Sequence, residues 1–350
     1  TEGERRKLSS VLSVMTDGVI APDRDGMIIL MNDRAEQLLN ISRQTVLGKP
    51  LLQVLRLSET MTWDELYSGP DSLLLDFSSD DETYILRSNH SFIQQEDGSI
   101  NGLITVLHDV TEQEQIEQER REFVVNVSHE LRTPLTTLKS YVEALQDGAW
   151  QSEEHAPRFL DVIANETDRM ARLVEDLLQL SKMDKKEYQL NYETFDFIAF
   201  FHHVIDRFEM TKNDNITIVR QLQNVEIIVN IDKDKITQVL DNIISNALKY
   251  SPEGGTITCR CWLQSKKLRI SISDEGVGIP KANLTRIFDR FYRVDRARSR
   301  KLGGTGLGLA ITKEMIHAHG GDIWAESEWG KGTTIYFTLP FVKVGRARSV

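Results

Sequence analysis

The stretch from Thr111 to about Gln146 constrains the fold most, because its composition and spacing predict one long helix. It opens with Glu, Gln and Arg, which are strong helix formers, and Asp147-Gly148 stops it. At about 1.5 Å per residue, this helix would be about 50 Å long. Apolar residues follow at intervals of 4, 4, 4, 3, 4 and 3 and form one stripe, which comprises Phe123, Val127, Leu131, Leu135, Leu138, Val142 and Leu145.

A second helix is predicted over about residues 156–183. Its apolar face comprises Phe159, Ile163, Met170, Leu173, Val174, Leu177 and Leu180. Two amphipathic helices joined by a short loop cannot bury both stripes alone. Two such hairpins around a twofold axis form a four-helix bundle, so the pattern predicts a homodimer.

His129 lies away from the apolar stripe of the first helix. It is two residues from both Val127 and Leu131, so it points roughly 200° away from each, toward water. An exposed imidazole is partly neutral, and therefore nucleophilic, at neutral pH. Most exposed helical histidines are inert, so a functional interpretation needs support from the rest of the chain.

Composition narrows the class of protein. The 350 residues suffice for two or three domains. A net charge of −11 argues against nucleic acid as the main ligand. The two cysteines, Cys259 and Cys261, fall on one face of a predicted strand, which favours packing over a disulfide or metal site and fits a reducing compartment.

No apolar run approaches the roughly 18 residues of a membrane-spanning helix, and we find no signal peptide. The chain starts at Thr1 rather than Met, which is consistent with a piece excised from a longer protein.

We expect four segments, at residues 1–110, 111–186, 187–343 and 344–350. The first reads as a small α/β domain with short apolar strands, hairpin-type turns and a helix at 33–39. The third mixes helices with alternating strands and reads as an α/β sandwich with a single covered sheet. The last is a tail without a pattern. No ligand spacing favours His90, His108 and Glu112 as a metal site in the first segment.

Three segments of residues 187–343 look like parts of one nucleotide site. On the helix over residues 238–250, Asn242, Asn246, Lys249 and Tyr250 form one polar stripe, suited to hydrated Mg²⁺ and phosphate oxygens. A solvated helix face would be the better interpretation of this stripe alone.

The other two segments are rich in glycine. Asp274 ends a predicted strand, where its carboxylate can accept from an exocyclic amine, while Gly276 and Gly278 let a purine lie against the backbone. Residues 303–309 open a helix, whose free N–H groups and positive dipole end suit phosphate. Each motif alone is weak.

With residues 128–135, these segments resemble the H, N, G1 and G2 boxes of sensor histidine protein kinases, and residues 287–293 match the family's F box. The resemblance covers Thr111 to about Phe341. The first segment, with Met31-Asn32-Asp33-Arg34-Ala35 after a hairpin, resembles a PAS sensor domain.

Within the family, the PAS-like region and residues 111–114 and 126–129 are most similar to the WalK/VicK (YycG) cell-wall regulating kinases of low-GC Gram-positive bacteria. The resemblance implies that this chain is the cytoplasmic portion of a cell-membrane protein. It also implies that any contact with the membrane is made through a missing N-terminal transmembrane part. The fold class that the resemblance implies is multidomain α+β. It comprises a PAS-like α/β sensor domain, a dimeric helical-hairpin (four-helix bundle) phosphoacceptor domain, and an α/β sandwich ATP-binding domain of the histidine kinase/gyrase/Hsp90 type.

The resemblance implies ATP-dependent autophosphorylation of His129 and transfer to an aspartate of a response regulator. Glu130 would be the base or orienting group, and Arg293 would meet the γ-phosphate. Thr133 would position water for dephosphorylation of the regulator, and Pro134 would permit a helix bend between kinase and phosphatase states.

The resemblance assigns ATP and Mg²⁺ as cofactors. Asn246 and Asn242 would hold Mg²⁺, Lys249 and Tyr250 would contact phosphates, and Asp274 would bind adenine. The remaining residues assigned to nucleotide binding are Gly276, Gly278, Arg290, Gly304, Thr305, Gly306, Leu307 and Gly308.

The basic run at 286–301 contains seven basic and two acidic residues. Beyond Phe291 and Tyr292 it lacks the interleaved base-stacking geometry of a nucleic-acid surface, and the neighbouring glycines favour a mobile lid over a nucleotide. The linker around residues 183–189 must flex to bring His129 and ATP together.

Two alternatives remain. An ATPase of the gyrase/Hsp90 type would need a water-activating glutamate where Asp241 and Asn242 stand, and it would leave His129 unexplained. An anti-kinase binding module predicts a broken motif, and we find none. The sequence leaves open the signal of the first domain, the identity of the regulator and whether transfer occurs within or between subunits.

Overall fold

The computed structural model describes residues 15–69, 71–79, 82–94, 100–184, 189–295 and 304–347. The chain divides into two compact units, residues 1–124 and 125–350. Among the described residues, no helix combines the length and apolar character needed to cross a lipid bilayer.

The first unit contains an antiparallel five-stranded sheet in the order β2-β1-β5-β4-β3. Its strands are β1 (Gly18–Pro22), β2 (Ile28–Met31), β3 (Ser72–Asp76), β4 (Ile85–Gln94) and β5 (Ile100–Asp109). Its short helices are α1 (Asp33–Leu39), α2 (Arg43–Val46), α3 (Leu51–Val54) and α4 (Trp63–Ser68). Asn32 joins sheet and helix, because its Oδ1 accepts from Val19 N at 2.8 Å and from Ala35 N, the α1 cap, at 2.9 Å.

The core of this unit includes one polar row. The His90 ring lies between the hydroxyls of Ser88, 3.0 Å from Nε2, and Thr105, 3.1 Å from Nδ1. Burial lowers the pKa of His90. His108 lies on the opposite face of the sheet, 2.9 Å from Asp17. The described residues contain no cluster of three or more His, Cys, Asp or Glu suited to a metal ion.

Helix α5 (Thr111–Gln146) has the bounds that composition predicts. Asp109 Oδ1 accepts from the backbone N–H of Thr111 at 3.0 Å. The Thr111 hydroxyl in turn accepts from Ile85 N at 3.0 Å, which fixes the start of the helix to β4.

In the second unit, α5 is followed by a turn with Gly148 at φ 114° and a 3-10 turn, Ala149–Gln151. Helix α6 (His155–Asp184) then begins, and Ser152 Oγ accepts from His155 N at 3.1 Å. Tyr141 and Phe159 meet edge to face at 5.0 Å across the hairpin.

The rest of the second unit is α/β. Its strands are β6 (Tyr192–Asp196), β7 (Ile216–Leu222), β8 (Val225–Asp232), β9 (Gly255–Gln264), β10 (Lys267–Asp274), β11 (Ile323–Glu328), β12 (Gly332–Leu339) and β13 (Lys343–Ala347). Its helices are α7 (Phe197–Thr211), α8 (Lys233–Lys249) and α9 (Gly308–Ala318). Helix α8 packs against β8 and β10, and α9 packs against α8.

The expected single sheet is wrong, because these strands form two sheets, in the orders β11-β12-β10-β9-β7 and β13-β8-β6. The segment expected to be a tail without a pattern supplies most of β13, which pairs antiparallel with β8. Its residues lack apolar alternation, so the pairing rests on backbone bonds that the sequence pattern does not reveal.

The core of the second unit includes Phe197, Phe201 and Phe337. Cys259 and Cys261 are buried free thiols, as the strand pattern predicts. Burial raises the pKa of Cys259 to about 12 and raises that of Cys261, so both are inert packing residues.

Candidate functional site

His129 lies exposed on α5. One turn later, the hydroxyl of Thr133 donates to the backbone carbonyl of His129 at 3.3 Å. Pro134 is buried within the continuous helix and, having no N–H, cannot donate to the carbonyl of Glu130. Two residues of the predicted stripe, Leu135 and Val142, remain 52% and 41% exposed in the single chain.

Glu130, the neighbour of His129, lies in a cluster of charged side chains. Its Oε2 accepts from Nη2 of Arg293 at 3.1 Å and from Nη2 of Arg169, on α6, at 3.2 Å. Nη1 of Arg169 also donates to Glu166 Oε2 at 3.4 Å. Two arginines and two glutamates thus balance in charge beside the candidate phosphoacceptor.

Helix α8 presents the predicted polar stripe opposite a buried one. Asn242 Nδ2 donates to Gly308 O and to the Thr312 hydroxyl, both at 3.3 Å, which ties α8 to the start of α9. Asn246 is partly exposed one turn further along α8. The pKa of the half-buried Lys249 is lowered, first by burial and then by the nearby cation of Arg172. The negative charge of a phosphate would favour the protonated ammonium and oppose this lowering of the pKa.

Tyr250 caps the C-terminus of α8, and its carbonyl accepts from Val277 N at 3.1 Å. This bond brings the Asp274 turn against α8. Asp274 Oδ1 accepts from Gly276 N at 2.9 Å and from Thr333 N at 3.2 Å. Burial nevertheless raises the pKa of Asp274 to about 6.

Gly276 and Gly278 were expected to let a purine lie against the backbone, and in the structure they also allow close packing of the backbone. A Cβ on Gly276 would collide with the carbonyl of Tyr250. Gly278 has φ +71°, and a Cβ there would collide with the carbonyl of Glu328. Both glycines therefore allow backbone segments to meet around Asp274.

The glycine-rich turn leads into α9, which begins at Gly308. Gly306 has φ +78°, and its carbonyl accepts from Phe291 N at 2.9 Å. A Cβ on Gly306 would lie 3.0 Å from Arg293 Nε. Gly304 and Leu307 belong to the same turn, whereas Gly303 and the basic residues at 296–301 lie outside the described residues.

Thr305 and Arg290 were predicted to bind the nucleotide, but their side chains contact carboxylates of α6. The Thr305 hydroxyl donates to Asp176 Oδ2 at 2.8 Å. Arg290 makes a two-pronged contact with Asp184, at 3.0 and 2.6 Å. Burial raises the pKa of Asp176, and the Thr305 hydrogen bond partly offsets this rise.

This polar side of α6 was not predicted from the sequence. Gln179 and Gln238 exchange amide hydrogen bonds at 3.1 and 2.9 Å, which adds an uncharged contact between α6 and α8. The available signal was helical spacing: Arg169, Asp176, Gln179 and Asp184 lie on the side of α6 that buries Leu173 and Leu180.

Three family models match successive parts of the chain. The PAS fold matches residues 6–110, and the His Kinase A (phospho-acceptor) domain matches residues 119–186. The histidine kinase-, DNA gyrase B- and HSP90-like ATPase family matches residues 231–343. These matches confirm the predicted fold class.

Whole-chain relatives decide the family. The sensor protein kinase WalK of Staphylococcus aureus is 51% identical over 342 residues, which cover 97% of this chain and 82% of the relative. This chain belongs to the WalK family of sensor histidine kinases. The sensor histidine kinase WalK of Bacillus subtilis (strain 168) is 61% identical over 343 residues, and the match spans 97% of this chain and 56% of that relative. The predicted family is confirmed, and an ATPase or anti-kinase module is not favoured.

Two solved structures of histidine kinases are also similar to this chain. The histidine kinase ThkA, in complex with the response regulator protein TrrA, is 25% identical, with a TM-score of 0.53 and coverage of 95% of this chain and 98% of that one. The Acinetobacter baumannii histidine kinase AdeS is 30% identical, with a TM-score of 0.50 and coverage of 61% and 98%.

Proposed function

We propose that this chain is an ATP-dependent protein-histidine kinase that phosphorylates His129 and passes the phosphoryl group to an aspartate of a response regulator. One observation carries the proposal. Arg293, the last residue of the nucleotide-domain motif at 287–293, reaches within 3.1 Å of the carboxylate beside His129. The described contacts thus join the candidate nucleotide site to the candidate phosphoacceptor.

The nucleotide site suits ATP. Asp274 is partly buried, and its Oδ1 is fixed by two backbone N–H groups, so Oδ2 would accept from the adenine amine. Lys249 and Tyr250 would contact the phosphates at the end of α8, and the backbone around Gly276 and Gly278 would pack beside the base. The turn comprising Gly304, Thr305, Gly306, Leu307 and Gly308 would cradle phosphate oxygens at the start of α9.

Asn242 and Asn246 are the candidate Mg²⁺ ligands. Amide oxygens suit a hard cation that retains water, and Asn242 is held by its Nδ2 contacts to α9, so its oxygen has a fixed direction. When bound, Mg²⁺ would neutralise phosphate charge.

For transfer, a ring nitrogen of His129 would attack the γ-phosphorus in line. The new N–P bond would form as the bond to the bridging oxygen of ADP breaks. Arg293 would leave Glu130 to stabilise the charge on the γ-phosphate, and Glu130 would orient or accept the imidazole proton. Arg290 and Thr305 would exchange their α6 carboxylates for the nucleotide.

The proposed partners are a second copy of the chain and a response regulator. The exposed apolar residues Leu135 and Val142 supply a surface for dimerisation, and ThkA provides a precedent for regulator binding. We propose that Thr133 also supports dephosphorylation of the regulator. Because the chain spans 56% of its Bacillus subtilis relative, we propose that it is the cytoplasmic portion of a cell-membrane sensor.

Labelling with γ-³²P-ATP and Mg²⁺ tests the proposed activity. The parent should acquire an acid-labile, alkali-stable label, and His129→Gln should lose it while binding a non-hydrolysable ATP analogue with unchanged affinity. Acid-labile label on the His129→Gln variant would place the phosphoacceptor elsewhere.

A further inference from the structure

Arg169 is a buried arginine that the proposed reaction does not yet use. Its side chain is 9% exposed, and its two terminal nitrogens reach different carboxylates, Glu130 at 3.2 Å and Glu166 at 3.4 Å. Arg293, which is 4% exposed, lies on the same oxygen of Glu130. Glu130 is therefore held from α6 and from the nucleotide domain at once.

Stability alone gives a weak reason for this cluster. Removing charges from water is costly, and apolar replacements of buried ion networks are often neutral or stabilising. The position of the cluster suggests another use. Glu130 directly follows His129, and successive residues on a helix point about 100° apart, so helix geometry alone does not hold this carboxylate against the imidazole.

We infer that Arg169 is a positioning residue for phosphoryl transfer, and this inference rests on the proposed function. When Arg293 moves to the γ-phosphate, Arg169 remains on Glu130 and keeps the carboxylate beside His129. The guanidinium fork suits this role, because one arm engages Glu130 while the other is anchored by Glu166. A lysine ammonium lacks the two separated arms.

The test uses the full chain and the variant Arg169→Met, which keeps much of the side-chain volume. The rate of His129 labelling at saturating ATP should fall at least tenfold, while KM for ATP stays within twofold of the parent. Arg169→Lys should recover part of the rate.

Arg158→Met, an exposed arginine on the same helix, is the matched control and should label at the parent rate. A double variant separates positioning from a general effect on the hairpin. In a Glu130→Gln background, Arg169→Met should change the residual labelling rate less than twofold, because the group it positions is already gone. An equal loss in both backgrounds overturns the inference.

A parent-like rate for Arg169→Met, or a raised KM at unchanged rate, also overturns it. If thermal unfolding shows that Arg169→Met does not fold, Arg169→Lys decides through the labelling rate at saturating ATP. An Arg169→Lys variant that labels at the parent rate counts against the inference. Failure of the proposed function looks different, because the parent itself would then leave His129 unlabelled.

Discussion

At the scale of single residues, Asp274 shows how burial can set the conditions for binding. Its pKa is raised to about 6 although two backbone N–H groups bond to Oδ1. The carboxylate is thus ionised above that pH and protonated below it, and an ionised carboxylate accepts a hydrogen bond more strongly than a neutral one.

We predict that adenosine affinity falls as the pH drops from 7.5 to 5. Adenosine is the probe because it has no phosphate to titrate in this range. Calorimetry or ligand-observed NMR should show the decline centred near pH 6, and Asp274→Asn should bind weakly at every pH. A parent affinity that is flat across this range would argue against Asp274 as the adenine acceptor.

Thr133 is the residue of α5 that we propose supports dephosphorylation of the regulator but not autophosphorylation. Its hydroxyl donates to its own helix in the structure, and it must turn outward to position water for attack on a phospho-aspartate. Thr133→Ala should therefore spare autophosphorylation yet slow dephosphorylation of the regulator at least tenfold, about 1.4 kcal/mol of barrier. Timed loss of label from the phosphorylated regulator measures this, and a rate equal to the parent's removes Thr133 from the reaction.

At the scale of elements, one histidine joins the two helices of the nucleotide site. His319, at the end of α9, is buried, and its Nδ1–H donates to Met315 O at 2.7 Å. Its Nε2 accepts from the backbone N–H of Asp232 at 3.1 Å, and Asp232 caps α8. Protonation of Nε2 would destroy that acceptor, and burial lowers the pKa of His319 below its ordinary 6.5.

The sign of the pH effect follows. Between the lowered pKa and about 6.5, the unfolded chain binds the proton more readily than the folded one. The stabilisation that neutral His319 contributes to the folded state is therefore complete above about pH 6.5, and it is lost as the pH falls through the lowered pKa. Urea unfolding followed by tryptophan fluorescence from pH 8 to 5 should show a smaller acid loss in His319→Gln than in the parent. The exposed control His317→Gln should keep the parent's slope.

The sequence alone predicted the helices whose bounds depend on local chemistry. The bounds of α1 and α5 follow from composition, caps and spacing. It did not predict β13, because Lys343–Ala347 becomes a strand only through bonds to β8, more than a hundred positions away along the chain. For the same reason, the contacts of Asp176 and Asp184 were not predicted. Helical spacing places both carboxylates on the packed side of α6, but it does not identify their distant partners.

At the scale of the whole molecule, the exposed apolar surface of the hairpin requires a partner. Burial of both stripes against a second copy should hide well over about 1,000 Å², a size typical of stable dimers. We predict that the chain sediments as a dimer at micromolar concentration. A Leu135→Glu/Val142→Glu variant, with charges at two exposed positions, should sediment as a monomer, and a monomeric parent would mean that the stripe serves another protein.

The nucleotide part of the second unit docks on α6 through charged and uncharged contacts. We predict that Gln238→Ala speeds autophosphorylation about fivefold. It removes the paired amide bonds with Gln179, and about 1 kcal/mol of lost docking would raise the population of the undocked state by that factor. Initial labelling rates measure the effect. Asp234→Asn, exposed at the start of the same helix, is the control, and an unchanged or slower rate in Gln238→Ala would mean that docking does not limit transfer.

The added strand β13 bears on how a fragment of this protein behaves once isolated. The ATPase family match ends at residue 343, where β13 begins. A fragment cut at that boundary keeps β6 and β8 but strips β8 of one neighbour, which leaves a row of open backbone donors and acceptors. Such an edge is a template for another chain. Self-association of a fragment that ends at residue 343 would therefore report a missing strand rather than a natural interface.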